Sequence, residues 1–162
     1  MRTKDYVKYT NFKSISLDGM YEGNSEVLAN LEDNILNIIN VEAPITLNTL
    51  KQRLREAFNV KKISQKALDI ILDIINKNNI VVTNNLYDDV YWPSSGEFDV
   101  KELRINYVRQ IYDIPYQELK LLVYDLNLCG EELYRSILAY FGYEVLTEKA
   151  RTYLEFIERV SK

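Results

Sequence analysis

The stretch LNIINVEAPITLNTLKQRLREAFNVKKISQKALDIILDII, residues 36–75, decides the fold of this chain. Its apolar positions recur without a gap 83 residues later, in LKLLVYDLNLCGEELYRSILAYFGYEVLTEKARTYLEFIE, residues 119–158. An internal repeat fixes the architecture before any residue is given a role. The chain is therefore predicted to be one three-helix unit used twice. Matching apolar residues include Leu50 with Leu133, Leu54 with Ile137, Ile71 with Leu154 and Ile74 with Ile157.

Composition indicates a soluble globular protein. Of 162 residues, 47% are apolar and 27% are charged, which are ordinary values for such proteins. No run approaches the roughly 18 apolar residues of a transmembrane helix, and the opening residues MRTKDYVKYT lack the apolar core of a signal peptide. The one cysteine, Cys129, cannot form an internal disulfide, which suits a reducing compartment. A cytoplasmic location and no membrane partner are therefore expected.

Missing residue types exclude most kinds of catalysis. The chain has no histidine, which removes Ser-His and Cys-His nucleophile pairs and the common zinc sites. Its five glycines form neither of the common glycine-rich phosphate-binding loops. We therefore expect a protein that is not an enzyme, with no cofactor, no metal and no small-molecule substrate. The net charge of −4 also argues against a uniformly nucleic-acid-binding surface.

Helical periodicity and capping residues divide residues 25–77 into three predicted helices. Asn24 can cap the first helix, Thr46 the second and Ser64 the third, because their side chains accept hydrogen bonds from the first helical N–H groups. Pro44 ends the first helix, since the residue before a proline is driven out of the α region.

The period of the sequence changes after the third predicted helix. Ile80–Thr83 and Val90–Trp92 are β-branched and aromatic runs separated by polar residues, a pattern typical of a β-hairpin. Three helices followed by a hairpin is the order of a winged helix-turn-helix. The chain is thus predicted to be mainly α, with two tandem winged-helix/helix-turn-helix-like units, the first with a β-hairpin wing and the second wingless. The predicted segments are an extended N-terminal arm (1–24), a winged-helix unit (25–93), a linker with a short strand (94–114) and a second three-helix unit (115–162).

Three segments together resemble a known bacterial family: IINVEAPIT (38–46), LRINYVRQIYDIPYQEL (103–119) and FGYEVLTEKA (141–150). This is the domain-of-unknown-function (DUF) 3320 family, found at the C-terminus of large bacterial superfamily-1 helicase-like proteins that also carry an endonuclease-like domain. The resemblance covers residues 25–160 and rests on the order and spacing of the segments. It implies an accessory role in DNA transactions and supplies no catalytic residue.

Residues 51–66, KQRLREAFNVKKISQK, carry six cations against the single carboxylate of Glu56. In a helix-turn-helix protein the second and third helices face the duplex, and the start of the third helix meets the base edges. The segment therefore predicts a contact with double-stranded DNA, in which the arginines of the second helix reach phosphates. The candidate nucleic-acid-binding residues are Lys51, Arg53, Arg55, Lys61, Lys62, Gln65 and Lys66.

Nearby acidic residues favour a different interpretation, in which these cations are only a solvated surface. Asp69 and Asp73 share the exposed side of the third helix with the lysines. Asp88 and Asp89 occupy the hairpin tip, where a DNA-binding wing favours lysine or arginine.

Two other functions remain open. The first is a protein–protein interaction or homodimerisation module without direct DNA contact, because an additional apolar stripe on the third helix needs cover. That stripe consists of Leu68, Leu72 and Ile75. The second, a remote alternative, is a metal-dependent nuclease, whose carboxylates would hold Mg²⁺ beside a lysine. Its pattern is Asp88 or Asp89, then Glu97, then Asp99–Val100–Lys101.

Aromatic residues on the predicted hairpin also suggest stacking with single-stranded nucleic acid. Tyr87, Tyr91 and Trp92 are the candidates. Packing within the hairpin is the favoured interpretation, because cross-strand aromatic pairs commonly stabilise sheets.

Overall fold

The computed structural model describes residues 1–94 and 99–162, and the chain divides into two compact units. The first unit comprises Val7–Thr83 and Val90–Gly96, and the second comprises Met1–Tyr6, Asn84–Asp89 and Glu97–Lys162. Both are predominantly α-helical with a small amount of β-structure, as the sequence predicts at that level. In the described ranges, no helix combines the length and the apolar character needed to cross a bilayer.

The first unit contains four helices, and its three long helices begin where the capping residues predict. Asn24, Thr46 and Ser64 each accept a hydrogen bond from a backbone N–H in the following first turn, which confirms these caps. The segment 1–24 is not extended throughout, because a short helix capped by Ser16 forms near its end. The helices are α1 (Leu17–Tyr21), α2 (Ser25–Glu42), α3 (Leu47–Phe58) and α4 (Gln65–Lys77).

The apolar stripes of α2, α3 and α4 converge on one core. It includes Ile35, Ile38, Leu50, Leu54 and Ile71, all fully buried. The additional stripe of α4 is also covered: Ile75 is 1% exposed, while Leu68 and Leu72 are half-buried against the same core.

Three short strands complete this part of the fold. Strand β2 (Ile45–Thr46) lies between α2 and α3, and it pairs antiparallel with β4 (Asp89–Trp92), with Ile45 opposite Tyr91. Strand β3 (Val81–Asn84) flanks β4 on its other side, so the strand order is β2-β4-β3. Strands β3 and β4 form the β-hairpin that is expected from the change in sequence periodicity after the third helix.

The second unit contains three helices and a two-stranded parallel sheet. Strand β1 (Arg2–Asp5) pairs with β5 (Glu102–Ile105), and a short 3-10 turn, Ile111–Asp113, leads into the helices. This unit therefore draws on the amino-terminal residues as well as on the region predicted as a linker. Its helices are α5 (Tyr116–Leu126), α6 (Gly130–Tyr140) and α7 (Glu148–Val160).

The predicted repeat is visible in the helix boundaries. Helices α3 and α6 start 83 positions apart, and so do α4 and α7. The repeated apolar positions are buried in both units, for example Leu50 and Leu133, or Ile71 and Leu154. The N-terminal part of α2 has no counterpart in α5, because Pro115 stands immediately before α5.

Candidate nucleic-acid interface

The basic segment 51–66 runs along α3, through a loop and into the first turn of α4. The loop starts at Asn59, whose left-handed backbone (φ 57°) ends α3, and it finishes at Ser64, whose hydroxyl accepts a hydrogen bond from the N–H of Ala67 at 3.1 Å. These two capping residues fix where the lysines between them stand. In this segment Lys61, Lys62, Gln65 and Lys66 are exposed, and Lys51 and Arg55 are half-buried.

Arg53 has a different environment from the other cations. It is 1% exposed, and its guanidinium donates to the carboxylate of Glu42, with Nε–Oε2 and Nη2–Oε1 distances of 2.8 Å each. The cause is its position on α3, between Leu50 and Leu54 on the face that meets the core. Arg53 therefore lies away from any surface that a phosphate could reach, which corrects its assignment as a DNA-contacting residue.

The remaining cations of the segment share one property. Lys51, Arg55, Lys61, Lys62 and Lys66 have no carboxylate within salt-bridge distance among the residues that the structure describes. Every cation of the first unit outside the segment is paired: Lys8 with Glu56, Lys13 with Asp33 and Lys77 with Asp73. Positive potential is thus left unneutralised at one place on this unit.

The lysines are also placed unfavourably for the stability of α4. The N-terminus of a helix carries partial positive charge, so cations there are mildly destabilising and anions are favoured. Lys61, Lys62 and Lys66 all lie within a few residues of that end. The same backbone dipoles that disfavour these lysines add to their attraction for a phosphate group.

Lys66 and Gln65, which begin the third predicted helix, are held by local contacts. The Lys66 ammonium lies 4.6 Å from the centre of the Tyr21 ring, and the Tyr21 hydroxyl is 2.8 Å from the Ser64 Oγ. The Gln65 amide nitrogen donates to Asp69 Oδ1 at 2.8 Å. These contacts order the first turn of α4 without neutralising the lysine.

The hairpin tip contacts α7 within the second unit. The Tyr87 hydroxyl donates to the backbone oxygen of Lys149 at 3.1 Å, and the Asn85 amide donates to the Tyr153 hydroxyl at 3.0 Å. The Lys149 ammonium in turn lies 3.8 Å from the centre of the Tyr112 ring. A tip held in this way is not a free wing for DNA.

The hairpin aromatics are occupied by packing. Tyr91 and Trp92 are each 2% exposed, and the Trp92 indole N–H donates to the Thr83 hydroxyl at 2.9 Å. The favoured sequence interpretation, packing within the hairpin, is confirmed for Trp92, whereas Tyr91 packs into the helical core of the first unit. Neither ring offers a face to a nucleic-acid base.

The nuclease pattern gains no support from the described residues. Glu97 lies outside them, Asp99 is exposed, and Asp88 and Asp89 are half-buried. No three His, Cys, Asp or Glu side chains in residues 1–94 and 99–162 stand close enough to hold a metal ion. Cys129 is exposed and unbonded to another cysteine, at the N-cap position of α6.

A second buried charge cluster lies in the second unit. Glu118 is fully buried and accepts hydrogen bonds from Arg104 Nη2 at 2.7 Å and from Arg109 Nη1 at 2.9 Å. Burial alone would raise the pKa of Glu118, but the two arginines outweigh it and hold the pKa at about 2. Both guanidiniums also lie over the Tyr6 ring, at 4.7 and 4.9 Å from its centre.

Sequence reasoning overlooked both buried charge clusters, although a signal exists. Glu42 follows Ile35, Ile38 and Ile39 at helical spacing, which places its carboxylate on the buried face of α2. Glu118 stands directly beside buried Leu119 at the start of α5. A charged residue at an apolar position requires a buried partner of opposite charge, and a search for that partner leads to arginine in each case.

An open cleft in the second unit is the other candidate surface. It measures about 710 Å³, and four of the eight residues that line it are aromatic. Val108, at its edge, is 86% exposed, an unusual value for an aliphatic residue. A smaller adjoining cavity shares Tyr143 and adds Arg135 and Glu144. The principal lining residues are Tyr107, Val108, Tyr140, Phe141 and Tyr143.

Comparison with known proteins identifies no relative for this chain: no family model, no curated protein and no solved structure matches it. The resemblance to the DUF 3320 family therefore stays a prediction. What the chain can do must be inferred from the two surfaces just described.

Proposed function

We propose that this protein is a non-catalytic accessory module that binds double-stranded DNA through the first unit. The binding surface consists of Lys51, Arg55, Lys61, Lys62, Gln65 and Lys66. If the resemblance of the sequence holds, the module serves helicase- or nuclease-type DNA transactions. The observation that carries the proposal is the pairing pattern. Among residues 1–94 and 99–162, the cations of the first unit that have no carboxylate partner all fall in residues 51–66, while its other cations have such partners.

The order of elements in the first unit, which is the order that a winged helix has, supports this proposal. The order of elements is helix, strand, helix, helix, strand, strand, and the short strand β2 pairs with the second strand of the hairpin. In this arrangement α4 is the recognition helix, and its first turn carries Gln65 and Lys66. The buried pair of Glu42 and Arg53 joins α2 to α3 and so holds the helix that precedes the basic loop.

Charge reversal tests the proposal directly. The variant Lys61→Glu/Lys62→Glu/Lys66→Glu should lose affinity for a fluorescein-labelled duplex by about 100-fold or more at low salt, since each removed phosphate contact weakens the electrostatic term. For the unchanged protein, log K should fall with log salt concentration at a slope of about −4.5, as expected for five cations. Fluorescence anisotropy measures both quantities.

A matched control separates local contact from net charge. Arg2→Glu/Lys4→Glu/Arg159→Glu makes the same change in net charge at three exposed positions of the second unit. This variant should keep the affinity within about threefold, because none of its three positions belongs to the surface proposed to contact phosphates. Equal losses in the two triple variants, or no binding by the unchanged protein at low salt, would contradict the proposal.

A second candidate function is homodimerisation through the aromatic cleft of the second unit. Val108 and Tyr140 are exposed there, at 86% and 44%. Arg135 and Glu144 line the adjoining cavity, so its rim carries both signs of charge. A two-fold interface needs such a self-complementary patch, because each residue meets the other copy of the same surface.

Sedimentation equilibrium tests this second function. A dimer in the micromolar range that Val108→Glu/Tyr140→Glu converts to a monomer would support it. A monomer at all concentrations reached would remove it. The same runs on the Lys61, Lys62 and Lys66 variant show whether dimerisation and DNA binding are independent.

A further inference from the structure

The outward face of α4 changes character after its first turn. Gln65, Asp69, Asp73 and Lys77 follow one another at four-residue spacing, and all are exposed. Residues so spaced form one line along a helix. A duplex that meets the first turn would therefore meet two carboxylates if the helix lay along its groove.

The two carboxylates differ in how they are neutralised. Asp73 is in a salt bridge with Lys77, at 3.0 Å. Asp69 accepts a hydrogen bond from the neutral amide of Gln65, and no cation lies within salt-bridge distance of it among the residues the structure describes. Asp69 thus keeps its full negative charge one turn from Lys66.

A recognition helix in the major groove lies between two phosphate-lined walls. Carboxylates that face the groove are repelled by the phosphates, and this repulsion weakens binding. The position of Asp69 therefore limits the contact with the duplex to the first turn of α4 and to the preceding loop, where Lys61 and Lys62 stand.

The first turn of α4 also holds few side chains that are free to read bases. Base recognition relies on bidentate side chains, chiefly arginine on guanine and asparagine or glutamine on adenine. Gln65 is the one amide there, and its N–H is directed to Asp69. The lysines are point charges on flexible stems and lack the rigid fork of arginine, so they favour phosphates over base edges.

From these features, and resting on the proposed function, we infer that the first unit binds duplex DNA through phosphates alone, independently of base sequence. Asp69 is the residue that enforces this, by opposing insertion of α4 into the groove and by holding the Gln65 amide. Lys51, Arg55, Lys61, Lys62 and Lys66 supply the attraction.

The experiment compares three labelled duplexes of equal length, one rich in A·T, one rich in G·C and one mixed. Dissociation constants from anisotropy at low salt should agree within about threefold, since phosphate contacts carry no sequence information. Gln65→Ala should change all three constants by the same factor, because a contact that reads no base acts alike on every sequence.

The Asp69→Asn variant tests the role of the Asp69 charge more directly than the comparison of duplexes does. Removing this charge should raise the affinity for all three duplexes by about three- to tenfold, the effect of one more favourable phosphate interaction. The matched control is Glu132→Gln, which removes an exposed carboxylate from α6, outside the proposed binding surface, and should change no constant by more than about twofold because no phosphate faces it there.

The outcomes separate the inference from the proposed function. A preference above tenfold for one duplex, a selective loss in Gln65→Ala, or an unchanged affinity in Asp69→Asn overturns the inference and leaves DNA binding standing. Failure of the unchanged protein to bind any duplex overturns both. Equal affinities that rise together in Asp69→Asn support the inference.

Discussion

The pair α3–α4 in the first unit and the pair α6–α7 in the second start at matching positions yet carry different surfaces. Both pairs bury the same apolar skeleton, for example Leu54 and Ile137. In the first pair the exposed cations of the connecting loop have no carboxylate partners, whereas in the second Arg135 and Arg151 both pair with Glu131. A shared core thus leaves the surface free to diverge, and the difference locates the candidate function.

The two units also differ in how many arginines neutralise their buried carboxylate. In the first unit one carboxylate, Glu42, meets one arginine, Arg53. In the second unit Glu118 meets two, Arg104 and Arg109. Breaking a buried pair is costly because it leaves an uncompensated charge away from water, so the two clusters should respond differently to the same substitution.

The largest expected effect is therefore in the buried carboxylates. Glu118→Gln should destabilise the protein by about 4 kcal/mol and Glu42→Gln by about 3 kcal/mol, because the first leaves two arginines uncompensated and the second leaves one. Urea denaturation followed by far-UV circular dichroism measures both losses.

The single tryptophan makes this comparison specific to a unit. Trp92 is buried in the first unit, so its fluorescence reports that unit, while circular dichroism reports the helices of both. Glu42→Gln should shift the fluorescence transition, and Glu118→Gln should shift it less than the dichroism transition. Identical shifts of both signals in both variants would mean that the units unfold as one.

Acid should weaken the second unit through Glu118. Its pKa is about 2 in the folded protein against an ordinary 4.5, so its contribution to stability is present above pH 4.5 and is lost as the pH falls towards 2. A shift of this size corresponds to about 3 kcal/mol. Thermal melts at pH 7, 4 and 3 should show this loss, and Glu118→Gln, which has no such carboxyl group, should show a correspondingly smaller decline.

Matched helix caps should have matched effects. Ser64 and Thr147 occupy repeated positions and accept hydrogen bonds from Ala67 and Ala150, at 3.1 and 3.2 Å. Replacing either with alanine should cost about 1 kcal/mol, the usual value of a lost cap. Asparagine at each position keeps an acceptor and serves as the control. If only one of the two alanine variants lost stability, the caps of α4 and α7 would not be equivalent.

The smallest expected effect is a gain. Thr46 caps α3, but the side chain of Cys129, at the repeated position before α6, makes no cap hydrogen bond. Because the backbone of Cys129 is already extended, Cys129→Thr should stabilise the protein by about 0.5 kcal/mol. The reciprocal Thr46→Cys should destabilise it, and equal melting temperatures for both variants would contradict the prediction.

Local patterns made much of the fold predictable. Helical periodicity and the caps Asn24, Thr46 and Ser64 give helix starts that the structure confirms, and β-branched runs give the hairpin. Each of these signals depends on residues close in the sequence. The repeat adds the long-range information that both units bury equivalent apolar positions.

Other features depend on partners that local patterns do not reveal. Strand β1 has the sequence RTKD, is exposed along its whole length and shows no apolar alternation, so nothing near it predicts pairing with β5. Arg53 was assigned to the surface by its charge, although its position between Leu50 and Leu54 places it inside. The candidate site was predictable for the lysines of the loop, since loop residues are usually solvated.

The pairing of β1 with β5 has a consequence for the protein during its synthesis. Arg2 lies opposite Glu102, so strand β1 must wait for about a hundred further residues to be synthesised before its strand partner exists. The residues of the first unit, which end at Gly96, are complete before that point. On the ribosome the first unit can therefore fold early, while the amino-terminal strand stays unpaired until the second unit emerges to receive it.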